Sequence, residues 1–170
     1  MREFAMSAAF AAVFVATVAL SQESPYKGQE TRVIKALSQG EVDGYLDAQG
    51  MGFGKVAELN HYPGPRHVLD LAAELELTPK QVDATQAAFD AMRASALELG
   101  ATLVDKEREL DALFAEGKAD GDNARALIAE IARIQGELRF AHVGAHVTMR
   151  SILTPEQVAA YDRLRGYGGD

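Results

Sequence analysis

The sequence predicts an all-α protein: one long antiparallel helical hairpin with short flanking helices. Three observations carry this reading. Apolar or small residues recur at Val82, Phe89, Ala96, Leu103 and Leu110, with Met92, Leu99 and Leu113 between them, a heptad seam broken only at Thr85 and Lys106. The same spacing returns at Leu127, Ile131, Ile134, Leu138, Ala141, Ala145 and Ile152. No proline interrupts either run, and Gly117 with Asp120-Gly121 supplies a turn between them. The first arm, Thr78 to Gly117, extends about 55–60 Å at the α-helical rise, and the second runs from Asp122 to Leu153. A helix of that length needs its return arm, and a homodimer is expected to cover the apolar residues left off the seam.

The chain has 170 residues, a formal charge of −8, 48% hydrophobic residues and no cysteine. The acidic balance argues against nucleic acid as a partner, because such binding rests on neutralising phosphates. Without cysteine there is neither a disulfide nor a thiolate metal site. Met1-Arg2-Glu3 precedes an almost unbroken apolar run from Phe4 to Leu20. This reads as a signal peptide over residues 1–21, cut after Ser21, in preference to an uncleaved membrane anchor. The expected location is the periplasm.

Residues 22–60 form an amino-terminal extension. After a polar linker, short helices are predicted at Thr31–Leu37, Glu41–Ala48 and Lys55–Leu59. Gly50, Gly52 and Gly54 lack the spacing and the preceding strand of a dinucleotide-binding loop, and read as a flexible hinge. Residues 61–170 form the hairpin domain, opened by the rigid turn Tyr62-Pro63-Gly64-Pro65. Pro65 starts a helix with Val68, Leu69, Leu71, Ala72 and Leu75 on one face.

Two copies of one phrase frame the hairpin. Leu77-Thr78-Pro79-Lys80-Gln81 returns as Leu153-Thr154-Pro155-Glu156-Gln157. Each is a complete helix start: threonine as N-cap, proline at the first helical position, and glutamine closing a capping box, with leucine before the cap. Through these paired phrases the chain resembles the LTxxQ-motif Spy/CpxP family of bacterial envelope proteins over roughly His61 to Gly166. The resemblance implies a small periplasmic helical protein, often a curved antiparallel dimer, with no enzymatic active site. Members bind unfolded proteins, damp a membrane sensor kinase, or bind zinc and sense heavy metals. The chain differs from the chaperones in being acidic where their client cradle is basic.

The expected function is therefore a periplasmic envelope-stress accessory that binds unfolded or partner proteins through hairpin surface, with Leu97 and Phe140 among the off-seam apolar residues that would meet them. The rival is a heavy-metal-binding sensor or resistance protein using His142 and His146. These two lie one helical turn apart, with Met149 next in line, and such imidazole pairs chelate Zn, Ni, Co or Cu ions. No cofactor is required by the first reading. A metal site needs a third ligand, from Glu58, His61, His67 or another chain. His142 and Met149 flank the seam and His146 is directed outward, so the expected setting of the pair is a solvated or dimer-facing surface. The carboxylates interleave with lysine and arginine as on a solvated helix face, and no catalytic constellation is present.

Overall fold

The computed structural model describes residues 23–167. The apolar run Phe4–Leu20 and Ser21 lie outside them. Among the described residues six α-helices follow one another: α1 Gln39–Leu46, α2 Lys55–Glu58, α3 Pro65–Asp70, α4 Pro79–Ala115, α5 Gly121–Ile152 and α6 Pro155–Leu164. The all-helical class is as the sequence predicts, and α4 with α5 forms the long hairpin. The short helices pack along it, α1 and α3 on α4 and α2 on α5.

The hairpin holds because its seam is buried. Ala96, Leu103, Ile131, Ile134 and Leu138 form one apolar cluster, with Tyr45, Phe53, Met92, Leu99 and Leu110 packed at its edge. The two seam breaks are absorbed in different ways. The Thr85 side chain is fully buried, and its hydroxyl donates back to Gln81 O at 2.7 Å. Lys106 swings to the rim and meets Glu109 at 2.9 Å and Glu130 across the hairpin at 3.3 Å. At the turn, the Asp120 side chain accepts from Asp122 N and Asn123 N, and Asn123 closes a capping box. That cap starts α5 one residue earlier than the sequence suggests.

The paired phrases meet. Thr78 and Thr154 each accept from the amide of the glutamine three residues on, at 3.3 and 3.2 Å. The two glutamines then bond to each other: Gln81 Nε2 donates to Gln157 Oε1 at 2.8 Å, and Gln157 Nε2 to Gln81 Oε1 at 3.2 Å. Each also donates to the chain end ahead of the other phrase, Gln81 to Ile152 O and Gln157 to Leu75 O. The starts of α4 and α6, the end of α5 and the turn at Leu75 are thus tied at one knot. Beside it lies a second apolar cluster of Val68, Leu75, Met149, Leu153, Val158 and Tyr161.

The amino-terminal extension departs from its predicted form. No α-helix spans Thr31–Leu37; a single 3₁₀ turn, Gln29–Thr31, leads into turns and bends. Lys35 donates its backbone amide to Asp111 Oδ1 at 3.0 Å, a bond made outside any helical ladder. Ile34 and Leu37 are nevertheless buried, against Val104. Their three-residue spacing looks helical but serves an irregular chain lying on α4. α1 begins two residues before the predicted Glu41, because Ser38 and Glu41 form a capping box. It lies so close to α4 that a side chain at Gly100 would collide with the Tyr45 carbonyl. Of the Gly50–Gly54 segment, Gly50 and Gly52 are open to solvent while the far end is packed: Phe53 stacks on Tyr45 with ring centres 6.5 Å apart. α3 stops at Asp70 rather than running to Leu75.

Candidate functional site

Two regions could do chemistry or recognition, one between the amino-terminal layer and α5, the other on the opposite, open side of the hairpin. In the first, Glu58 at the end of α2 is the centre. Its Oε1 accepts from the Tyr161 hydroxyl at 2.6 Å and the Tyr167 hydroxyl at 3.2 Å, and lies 3.4 Å from Arg165 Nε. Burial and the adjacent carboxylate push the Tyr161 phenol far above its ordinary range. Tyr161 therefore stays protonated, donating to Glu58 while its oxygen accepts from Gly64 N at 3.4 Å. Glu58 Oε2 is buried without a hydrogen-bond partner and stands 3.6 Å from His146 Nδ1.

His146 faces this carboxylate and His142 is buried beneath Phe53, which corrects the expectation of a solvated or dimer-facing surface. His142 is only 6% exposed, stacked under Phe53 with ring centres 5.7 Å apart, and its Nε2 has no partner. Burial first, and then the nearby His146, lower its proton affinity below the ordinary 6.5, so the ring is neutral at neutral pH. His146 does not point outward. Its Nδ1 lies 2.7 Å from Tyr62 O, and a carbonyl can only accept, so Nδ1 carries a proton, and in the neutral ring Nε2 carries the lone pair. The backbones of Gly54 and Gly64 wall that ring: a Cβ at Gly54 would stand 2.5 Å from Nε2, and one at Gly64 2.9 Å from Cε1.

The remaining sequence candidates are dispersed. Met149 is fully buried in the second apolar cluster, a packing residue rather than a ligand in line with the histidines. His61, with φ 64°, pairs with Asp162 Oδ2 at 2.8 Å. His67 lies 3.7 Å from Asp70 on α3. His67, His142, His146 and Glu58 all border one cavity of about 750 Å³ between α2, α3, α4 and α5. Among the described residues, however, no three histidine, aspartate or glutamate side chains converge as a group able to hold a metal ion. The imidazole and carboxylate donors suit such an ion in kind; in this conformation they do not fit it in arrangement. Tyr161, Tyr167 and Arg165 give the sequence no chemical signature, whereas Glu58 shows itself as the one acid within Val56-Ala57-Glu58-Leu59.

The second region is a groove of about 1360 Å³ on the open side of α4 and α5. Its floor is mostly small residues, among them Ala84, Ala88, Ala91, Gly136, Ala141 and Gly144, so the two backbones are broadly accessible. Phe140, 71% exposed, and Val147, 53% exposed, stand on its rim, with Arg133 and Glu137 paired at 2.6 Å beside them. Of the two residues that the sequence suggests for protein binding, Phe140 borders this groove, whereas Leu97 is half-buried and does not line it.

No helix among the described residues is long and apolar enough to cross a membrane. A family model described as heavy-metal resistance matches residues 54–160, more than half of the chain. No curated protein and no solved structure matches it.

Proposed function

The chain belongs to the heavy-metal resistance family, and from that premise we propose that it is an exported, non-catalytic accessory of the envelope stress response that holds polypeptide in the open groove of its hairpin. One observation carries the reading. Phe140 and Val147 are left exposed beside a long floor of alanine and glycine. Large apolar side chains exposed together beside an apolar surface mark a recognition site rather than a solvated face. Small residues on the floor let an extended segment or a helix approach the α4 and α5 backbones closely, and Phe140 supplies a rigid anchor. The occupant is an unfolded or partner protein, a second copy of the chain included.

The test is suppression of aggregation of a denatured model protein. Phe140→Ser should weaken suppression several-fold while circular dichroism stays unchanged, because the ring is exposed and its loss leaves no cavity. Equal suppression by both proteins would remove the groove from the mechanism.

A second reading has its own support. His142 Nε2 and Glu58 Oε2 are buried without partners, His146 Nε2 carries a free lone pair, and the family is one of heavy-metal resistance. In that reading the protein also binds Zn, Ni, Co or Cu through Glu58, His142 and His146. Calorimetric titration decides it: binding should vanish in the His142→Ala, His146→Ala double variant.

A further inference from the structure

The open groove runs from Ala84 to Leu99 on α4, about 22 Å at the helical rise, with room for about four turns of helix or about seven extended residues. A second hollow of about 470 Å³ continues it toward the turn, between Lys106, Leu113, Ala126 and Glu130. Lys106 and Leu113 repeat Leu99 at heptad spacing, and Ala126 and Glu130 repeat Arg133 and Glu137. Both hollows therefore lie on one side of the hairpin.

The charges of that side are lopsided. Its lining cations are Arg133, Lys106 and Lys118, and each is already held by a carboxylate beside it. Arg133 meets Glu137 at 2.6 Å, Lys106 meets Glu109 at 2.9 Å and Glu130 at 3.3 Å, and Lys118 meets Glu116 at 2.6 Å. Glu98 also lines the groove; it is exposed and has no ion-pair partner among the described residues. Five carboxylates thus stand against three cations. The covered side is reversed: the cavity beside His142 is lined by Lys55, Arg66, Arg93 and Arg165 against Asp47, Glu58 and Asp70.

We infer that the groove's occupant is a cationic polypeptide segment, apolar where it meets Phe140 and Val147 and carrying lysine or arginine where it passes Glu98. This rests on the reading of the groove as a polypeptide site. Phe140 and Val147 supply the apolar contacts, and the carboxylates decide between segments of equal apolarity. Opposite charges across a contact speed the arrival of a partner, and like charges reject one. The chain as a whole, at −8, repels acidic segments before they reach the groove. A second copy meeting this face about a two-fold axis would set one acidic surface on another, so it yields to a basic segment.

Two labelled peptides, long enough for about four helical turns, test this by fluorescence anisotropy on the purified protein. They share their apolar positions; one carries lysine between them and the other glutamate. The lysine peptide should bind about tenfold more tightly at about 0.01 M ionic strength. The ratio should shrink at about 0.15 M, where the screening length falls from about 30 Å to about 8 Å. Position 98 is exposed, so Glu98→Lys should fold as the wild type does and weaken the lysine peptide several-fold without weakening the glutamate peptide. Equal affinities, or preference for glutamate, with Phe140→Ser weakening both peptides, would overturn the charge selection and leave the groove standing. Binding of the lysine peptide that neither Glu98→Lys nor Phe140→Ser weakens would place it elsewhere and overturn both readings. No binding of either peptide would overturn the cationic occupant; a dimer that Phe140→Ser dissociates would then give the groove to a second copy.

Discussion

Gln81 and Gln157 are the residues on which the two framing phrases depend. Each spends its amide on the other phrase and its oxygen on its own cap. Gln81→Ala removes its bonds to Thr78 N, Ile152 O and Gln157, and at about 1 kcal/mol for each net bond the loss should be roughly 2–3 kcal/mol. The pair shares partners, so the double alanine variant should cost clearly less than the sum of the singles in denaturant melts. His142 makes a different prediction. Its folded proton affinity lies below the ordinary value, so the unfolded chain binds a proton more readily than the native one. Its contribution to stability is complete above the ordinary 6.5 and is lost as pH falls through the lower folded value. Thermal melts should therefore decline on acidification below pH about 6.5, the ordinary imidazole value, and His142→Phe should remove this part of the decline. The glutamine phrases were legible because a cap is a local pattern. The burial of His142 was not, since it depends on Phe53, whose approach no α5 periodicity encodes.

At the scale of elements, the hairpin was readable and the amino-terminal layer only partly so. Heptad spacing reports which face of a helix meets its partner, and α4 and α5 are long enough for that signal to dominate. Ile34 and Leu37 belong to a segment whose backbone bonds go to a side chain on another element, Asp111, so their spacing misleads. Gly54 and Gly64, read as a hinge and a turn, prove to be the only residues small enough beside His146. Gly100 makes the same point on α4. Alanine in a helix interior is normally worth about 1 kcal/mol over glycine. At position 100 it strikes the Tyr45 carbonyl, and overpacking of that kind costs about 1–3 kcal/mol. Gly100→Ala should therefore lower the melting temperature and raise proteolytic cleavage near α1, while the exposed Gly136→Ala raises the melting temperature.

The molecule as a whole has one covered side and one open side. The amino-terminal layer buries Val104 and the α5 histidines, whereas Phe114, Ile128 and Phe140 remain exposed. A homodimer at micromolar concentration is the expected way to cover part of that surface in the absence of a client, and sedimentation equilibrium of wild type and Phe140→Ser checks it. The central claim is that the open groove between α4 and α5 receives polypeptide. Photo-crosslinking tests it most directly, with a benzophenone side chain at Ala91 in the groove and a matched probe at exposed Arg108. Crosslinks to a denatured client or to a second copy from position 91, with few or none from 108, are the expected result. Equal yields from the two positions, or none from position 91, would contradict it.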